Sequence, residues 1–232
     1  IRHGHAGTRA EDDALCTTRF ARARLMGDYL ASQRMQFCAV FAGGLQRQQQ
    51  TAKTALGAMA NTPELSIAPG WNEFDLDAVY AGIGPQLAAD DGRFRAHWES
   101  VQAEIAATGH DADSAVNRRW TPADEHVVRA WVEGRYKCDA ESWVEFRERI
   151  RRTLAQLVAN PIEGNVAVFT SATPTAICTA EALGVADPVM FQLAGAKLNT
   201  AITELRVRSG RVRLFAFNAT PHLTEPSLRT HR

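Results

Sequence analysis

The sequence predicts an α/β fold: a three-layer αβα sandwich with a mostly parallel sheet, an antiparallel hairpin at its edge and a helical insertion. Three observations carry this prediction. Short apolar runs alternate with helical stripes in a β-loop-α rhythm over the first sixty or so residues, and the rhythm returns after Glu141. Two β-rich runs late in the chain flank Ser209-Gly210, a tight-turn pair. Ahead of Glu141, from about 78 to 135, the pattern is polar and helical. A chain of 232 residues that is 45% hydrophobic can bury one sizeable core with an inserted subdomain. The expected organisation is therefore a single domain over 1–232, with the insertion at about 78–135.

The elements follow in order. Ile1 reads as the tail of an apolar strand. Phe20, Ala23, Leu25, Met26 and Leu30 approximate a helical stripe, and Phe37 to Phe41 is a short buried-strand run that ends at Gly43-Gly44. Residues 45 to 59 read as a second helix. Leu65-Ser66-Ile67, between Pro63 and Pro69, reads as a short strand. Inside the insertion, helices are expected near 93–106 and 122–132. Glu141-Ser142-Trp143 opens a long amphipathic helix through Phe146, Ile150, Leu154 and Leu157. Asn165 to Phe169 is a strand, Pro174 to Leu183 a helix, and Ala201 to Val207 pairs with Arg211 to Phe217.

Composition narrows the function. Lys+Arg and Asp+Glu are both 26, so the formal net charge is zero and no global field draws the chain to nucleic acid or to an anionic membrane. An anion site must be local. Apart from Lys53, Lys137 and Lys197 the basic residues are arginines, whose planar forks suit phosphate and carboxylate. Cys16, Cys38, Cys138 and Cys178 are widely spaced without a C-x-x-C pair, which argues against a zinc site or a disulfide framework and for free thiols. No apolar run approaches the roughly 20 residues of a membrane span. Because the chain opens on a strand tail, further residues are expected before it, a leader is left open, and cytoplasmic localisation is only a default. No G-x-G-x-x-G, P-loop or G-x-S-x-G elbow is present.

Four segments carry chemistry. Arg2-His3-Gly4 pairs an arginine with a nucleophile candidate at a strand end. Phe41-Ala42-Gly43-Gly44-Leu45-Gln46-Arg47, followed by Gln50-Thr51-Ala52, sets Arg47 at a helix start, where backbone N–H groups favour anions. Trp71-Asn72-Glu73-Phe74-Asp75 offers a carboxylate, with Asp75 and Asp77 as neighbours that a loop could present instead. Val166 to Thr170 is a strand that continues Ser171-Ala172-Thr173-Pro174.

In this order the segments resemble the histidine phosphatase (phosphoglycerate mutase-like) superfamily, over nearly the whole chain. The resemblance implies that His3 attacks phosphorus to form a phosphohistidine, that Arg2 and Arg47 hold the phosphoryl oxygens, and that Glu73 is the acid/base carboxylate. The family's fourth segment usually ends Ser-His-Gly-Gly. Here Ser171 stands in place of the second catalytic histidine, with Ala172 and Thr173 in place of the glycines. Ser171 is then a phosphate contact that carries no charge. A lost charged donor costs roughly 2.7–4 kcal/mol by analogy with oxyanion-hole deletions, about 100- to 1000-fold in rate. Another use for Ser171 and Thr173 is to cap a helix starting at Pro174.

Gly4, Ala172 and His222, the last in the loop Phe217 to Leu223, are expected at the periphery of the site. His97, His110 and His126 lie in the insertion with no ligand spacing. The resemblance implies a metal-independent phosphomonoester hydrolase with no cofactor, slowed by Ser171. Its partner would be a small phosphoester or phosphorylated ligand, with no nucleic acid and no membrane. The first alternative is an impaired pseudophosphatase that keeps the anion pocket for binding, and the second is a phosphoglycerate mutase. Neither substrate nor oligomeric state is written in a pattern.

Overall fold

The computed structural model describes residues 1–4, 17–108, 121–160 and 162–231. Cys16 and His110 lie outside them. The chain divides into two compact units. One is built from Asp13–Glu73 and Arg149–Arg232 together with the chain's first residues, and the other is built mainly from Phe74–Glu148.

The first unit has the α/β architecture that the sequence predicts. Its elements are α1 (Thr17–Ser32), β1 (Ala39–Ala42), α2 (Gln46–Leu56) and β2 (Leu65–Ile67), then a 3-10 turn at Pro69–Trp71. After the second unit come β3 (Val166–Phe169), α7 (Ala172–Leu183), α8 (Asp187–Ala196), β4 (Ile202–Arg208) and β5 (Arg211–Ala219). β1 is central, parallel to β2 (Val40 opposite Leu65) and to β3 (Ala39 opposite Val166). Residues 1–3 extend the sheet beyond β3. Arg2 bridges Thr170 in parallel, Thr170 N–H donates to Ile1 O at 2.9 Å, and His3 N–H donates to Thr170 O at 2.8 Å. The strand-tail reading of the first residues is thus matched by backbone pairing.

β4 and β5 form the expected antiparallel hairpin, as a two-stranded sheet of its own rather than the edge of the parallel one, with left-handed Ser209 (φ 52°) and Gly210 (φ 70°) at its turn, the conformation a two-residue hairpin loop demands. Helix α1 packs on α2, and α7 on α8. Behind the sheet's carboxyl edge, Met26, Leu30, Val40, Ala42, Ala52, Ala55, Leu56, Ala167 and Phe169 form one buried cluster. Gly27 permits the close approach of α1 to α2, since a Cβ there would overlap the Ala55 backbone.

The second unit contains α3 (Leu76–Asp90), α4 (Gly92–Thr108), α5 (Pro122–Val132) and the first part of α6 (Trp143–Ala159). It is held by an aromatic cluster. Phe74 lies 4.6 Å from Trp131 and 5.6 Å from Phe146, centroid to centroid, and Trp131 meets Trp143 edge-on at 5.5 Å. Buried Asp124 closes a capping box with Thr121 and accepts the Tyr80 hydroxyl at 2.6 Å.

Three readings are corrected. α3 and α8 were not anticipated from the sequence. α3 carries Pro85 in its interior, which reads as a helix breaker, and α8 lacks the polar stripe that marks an amphipathic helix. α7 starts at Ala172 rather than Pro174, because Pro174 falls at the third helical position, where its missing N–H has no intrahelical partner to lose. Thr173 is therefore inside the helix and does not cap it. Among the described residues, no helix is long and apolar enough to cross a membrane.

Candidate active site

In a parallel sheet the carboxyl ends of all strands open on one edge, so the loops that follow them are neighbours. The loop after residues 1–3 carries His3-Gly4. The loop after β1 carries Gly43 to Arg47, the loop after β2 leads through the 3-10 turn to Glu73, and the loop after β3 carries Thr170 and Ser171. Hydrogen bonds stitch these loops together. Gly43 N–H donates to Phe169 O at 3.1 Å, Gly44 N–H to Asn72 Oδ1 at 2.5 Å, and Thr170 Oγ1–H to Trp71 O at 2.6 Å.

His3 is buried, and its Nδ1 lies within hydrogen-bond distance of Gly4 O. A carbonyl oxygen can only accept, so Nδ1 is the donor, and in the neutral ring the lone pair is then on Nε2, the tautomer a nucleophilic imidazole needs. Gly4 is fixed in turn: its N–H donates to Thr51 Oγ1 at 3.0 Å, and Thr51 donates its own proton to Arg47 O at 2.7 Å. One relay thus joins the His3-Gly4 loop to the first turn of α2, where half-buried Arg47 is the second helical residue. Arg2 is also buried, and its guanidinium donates to Lys197 O. That loop is held by Asn218, whose Oδ1 accepts from Leu198 N–H at 2.8 Å and whose Nδ2 donates to Ala196 O at 2.7 Å.

Helices α2 and α7 both begin at this edge without a side-chain cap, at Leu45 and Ser171. Their N-terminal dipoles suit an anion. Glu73 is half-buried, and its Oε2 accepts from Thr173 N–H of α7 at 3.1 Å. The turn before it is clamped by Arg149, whose guanidinium donates to Gly70 O at 3.0 Å and Asn72 O at 3.2 Å. The neighbouring carboxylates are placed otherwise. Asp75 is exposed and caps α3 by accepting Ala78 N–H at 2.9 Å, and Asp77 lies in that helix's first turn.

Ser171 is buried, and its Oγ accepts from Gln48 Nε2 at 2.8 Å. Ala172 is the first residue of α7. His222 is buried, and Thr200 links it to the His3 backbone: its Nε2 is 2.8 Å from Thr200 Oγ1, and Thr200 N–H donates to His3 O at 3.3 Å. Thr200 Oγ1 already donates to Asn199 O, so His222 Nε2 is the donor. Burial pushes the His222 pKa down to about 4, which keeps the ring neutral.

Lys197 is a buried cation that sequence reasoning passed over. Its Nζ donates to Thr203 Oγ1 and sits 5.1 Å from the centre of the Phe217 ring, and burial, with the Arg2 charge second, pushes its pKa down to about 7. Gln48, Thr51, Asn72, Arg149 and Asn218 were also missed. Thr51, Asn72 and Asn218 lie in segments that the sequence reading names, but nothing in those segments marks their roles. His97 and His126 are exposed, and among the described residues no group of three His, Cys, Asp or Glu is gathered to hold a metal.

Comparison with known proteins bears on fold and family. No curated protein matches the chain. In fold it is similar to the alpha-ribazole phosphatase from Shigella flexneri (TM-score 0.62, 16% identity, 95% of each chain covered). It is also similar to phosphoserine phosphatase from Entamoeba histolytica in complex with 3-phosphoglyceric acid (TM-score 0.60, 15% identity, 96% of each chain). A third likeness is to a mycobacterial glucosyl-3-phosphoglycerate phosphatase (TM-score 0.56, 20% identity, 94% of this chain and 96% of that one). At these identities the likeness is one of fold. The sequence itself matches the model of the histidine phosphatase superfamily (branch 1) over residues 1–136 and 121–220. With most of its length matched, the chain belongs to the histidine phosphatase superfamily, a group of phosphatases and mutases.

Proposed function

We propose that the protein is a metal-independent phosphomonoester hydrolase that works through a phosphohistidine at His3. The observation that carries this reading is the bond from His3 Nδ1 to Gly4 O, which in the neutral ring puts the lone pair on Nε2, on a loop at the sheet edge where two helices begin without a side-chain cap. In the first step the Nε2 lone pair forms the N–P bond as the ester P–O bond breaks, and the leaving alkoxide takes its proton from Glu73. Arg2 and Arg47 offset the charge on the phosphoryl oxygens. In the second step Glu73 takes a proton from water, the water oxygen attacks phosphorus, and the N–P electron pair returns to Nε2 as phosphate leaves. The substrate is a small phosphoester, and no cofactor takes part.

Ser171 favours a second reading, an impaired pseudophosphatase that binds a phosphorylated ligand, because a hydroxyl carries no positive charge to the phosphoryl group. The two readings separate on one experiment. A good-leaving-group aryl phosphate, radiolabelled in phosphorus, is mixed with the protein in the presence of a chelator, quenched, and tested for label that is stable in alkali and lost in acid. The hydrolase reading expects labelled protein and slow phosphate release, both abolished in His3→Ala. If wild type and His3→Ala are equally silent while both bind phosphate or vanadate, the binding reading stands instead.

A further inference from the structure

Ser171 is at the N-cap position of α7, yet its side chain makes no capping bond. Its Oγ accepts from Gln48 Nε2 at 2.8 Å. The amide orientation is fixed by a second contact. The same nitrogen faces Trp71 O at 3.3 Å, and a carbonyl oxygen can only accept. Both amide protons of Gln48 are thus committed, one to Trp71 O and one to Ser171 Oγ. With that lone pair engaged, the Ser171 proton must leave in another direction, and no described residue accepts it.

Gln48 itself is fully buried, and its Oε1 has no hydrogen-bond partner. The amide fits only because residue 43 is glycine, since a Cβ there would overlap the Gln48 amide oxygen and crowd Asn72 Oδ1. A stability-optimised core would not strand a buried carbonyl in this way. Rule-breaking of this kind concentrates at functional sites.

We propose that Gln48 is a positioning residue whose amide turns the Ser171 hydroxyl into a fixed proton donor for the phosphoryl oxygens. The Gln48–Ser171 pair then supplies, in neutral form, the contact that the family resemblance assigns to the second histidine. Donation into Ser171 Oγ also polarises its O–H bond and strengthens the onward hydrogen bond. The inference rests on the phosphatase reading of the site.

The test is a double-mutant cycle of Gln48→Leu, Ser171→Ala and the pair, read as kcat and KM on an aryl phosphate, with His3→Ala as the blank and thermal melts for each variant. The proposal expects each single change to lower kcat by about 5- to 10-fold, the worth of one neutral hydrogen bond, with KM little changed and the double variant no slower than either single. Gln48→Glu keeps the shape but offers an acceptor, so the Ser171 proton turns back toward residue 48, and this variant should be at least as slow as Gln48→Leu. It also closes the cycle if the leucine variant does not fold. Losses that multiply in the double variant, or a Gln48→Glu enzyme with wild-type kcat, overturn the proposal. If wild type turns over no faster than His3→Ala, the hydrolase reading fails on its own. The cycle is then read on the affinity for inorganic phosphate or orthovanadate, where the same non-additivity is required.

Discussion

At the scale of single residues, packing sets what a substitution after β3 can achieve. Ser171→His places a larger ring in a position that is already buried and bonded to fully buried Gln48. Overpacking of this kind costs about 1–3 kcal/mol. The residues that follow, Ala172 and Thr173, are the first two of α7, and Thr173 N–H is committed to Glu73. Ser171→His alone should therefore melt at a lower temperature and gain little rate. Changing Ala172 and Thr173 to glycine with it should recover more activity, because the backbone can then re-aim the ring. Melting curves and initial rates of the single and triple variants check both statements, and a single variant that is faster without loss of stability would contradict them.

At the scale of elements, α2 does more than carry Arg47, because its Thr51 links Gly4 N–H to Arg47 O. Thr51→Val keeps the shape of the side chain and strands the buried Gly4 N–H, a loss of about 1–3 kcal/mol. The variant should be destabilised by that amount and lower kcat more than KM, as His3 loses its fixed carbonyl partner; denaturant unfolding and steady-state rates measure the two effects separately. The sequence made the strands after which these loops come legible, because each is a short apolar run with turn residues on both sides, and Arg2, His3, Arg47, Glu73 and Ser171 all stood at such run ends. It could not show Gln48 or Arg149. Nothing in a run of three glutamines marks which one turns inward, and the Arg149 clamp on Gly70 and Asn72 joins residues almost eighty positions apart. α3 was illegible for the opposite reason: its interior Pro85 is the strongest local signal against a helix, and burial of Val79, Tyr80, Ile83 and Leu87 overrides it.

At the scale of the whole molecule, the formal net charge of zero means that self-repulsion contributes little near neutral pH, so specific buried groups set how stability depends on pH. Two buried bases do so with the same sign. His222 has its pKa pushed from 6.5 down to about 4 by burial, so between these values the unfolded chain binds a proton that the folded chain refuses. Stability rises with pH across this window, is fully present above 6.5, and is lost as pH falls through about 4. Lys197 is pushed from 10.5 down to about 7, by burial first and the Arg2 charge second, so the same argument gives a second rise from pH 7 to about 9, above which the buried Cys178 thiol, pushed from 9.0 up to about 12, works in the opposite direction. Neither slope can exceed about 1.4 kcal/mol per pH unit for one proton. Lys197→Met keeps a long side chain against Phe217 and removes the amine, so it should flatten the upper slope and raise the melting temperature at pH 7, by about 2–4 °C for each kcal/mol gained. His222→Phe should flatten the lower slope alone. Melting temperatures of the wild type and both variants from pH 4 to 10 decide the matter: an upper slope that survives Lys197→Met would show that Lys197 is not the group that titrates there.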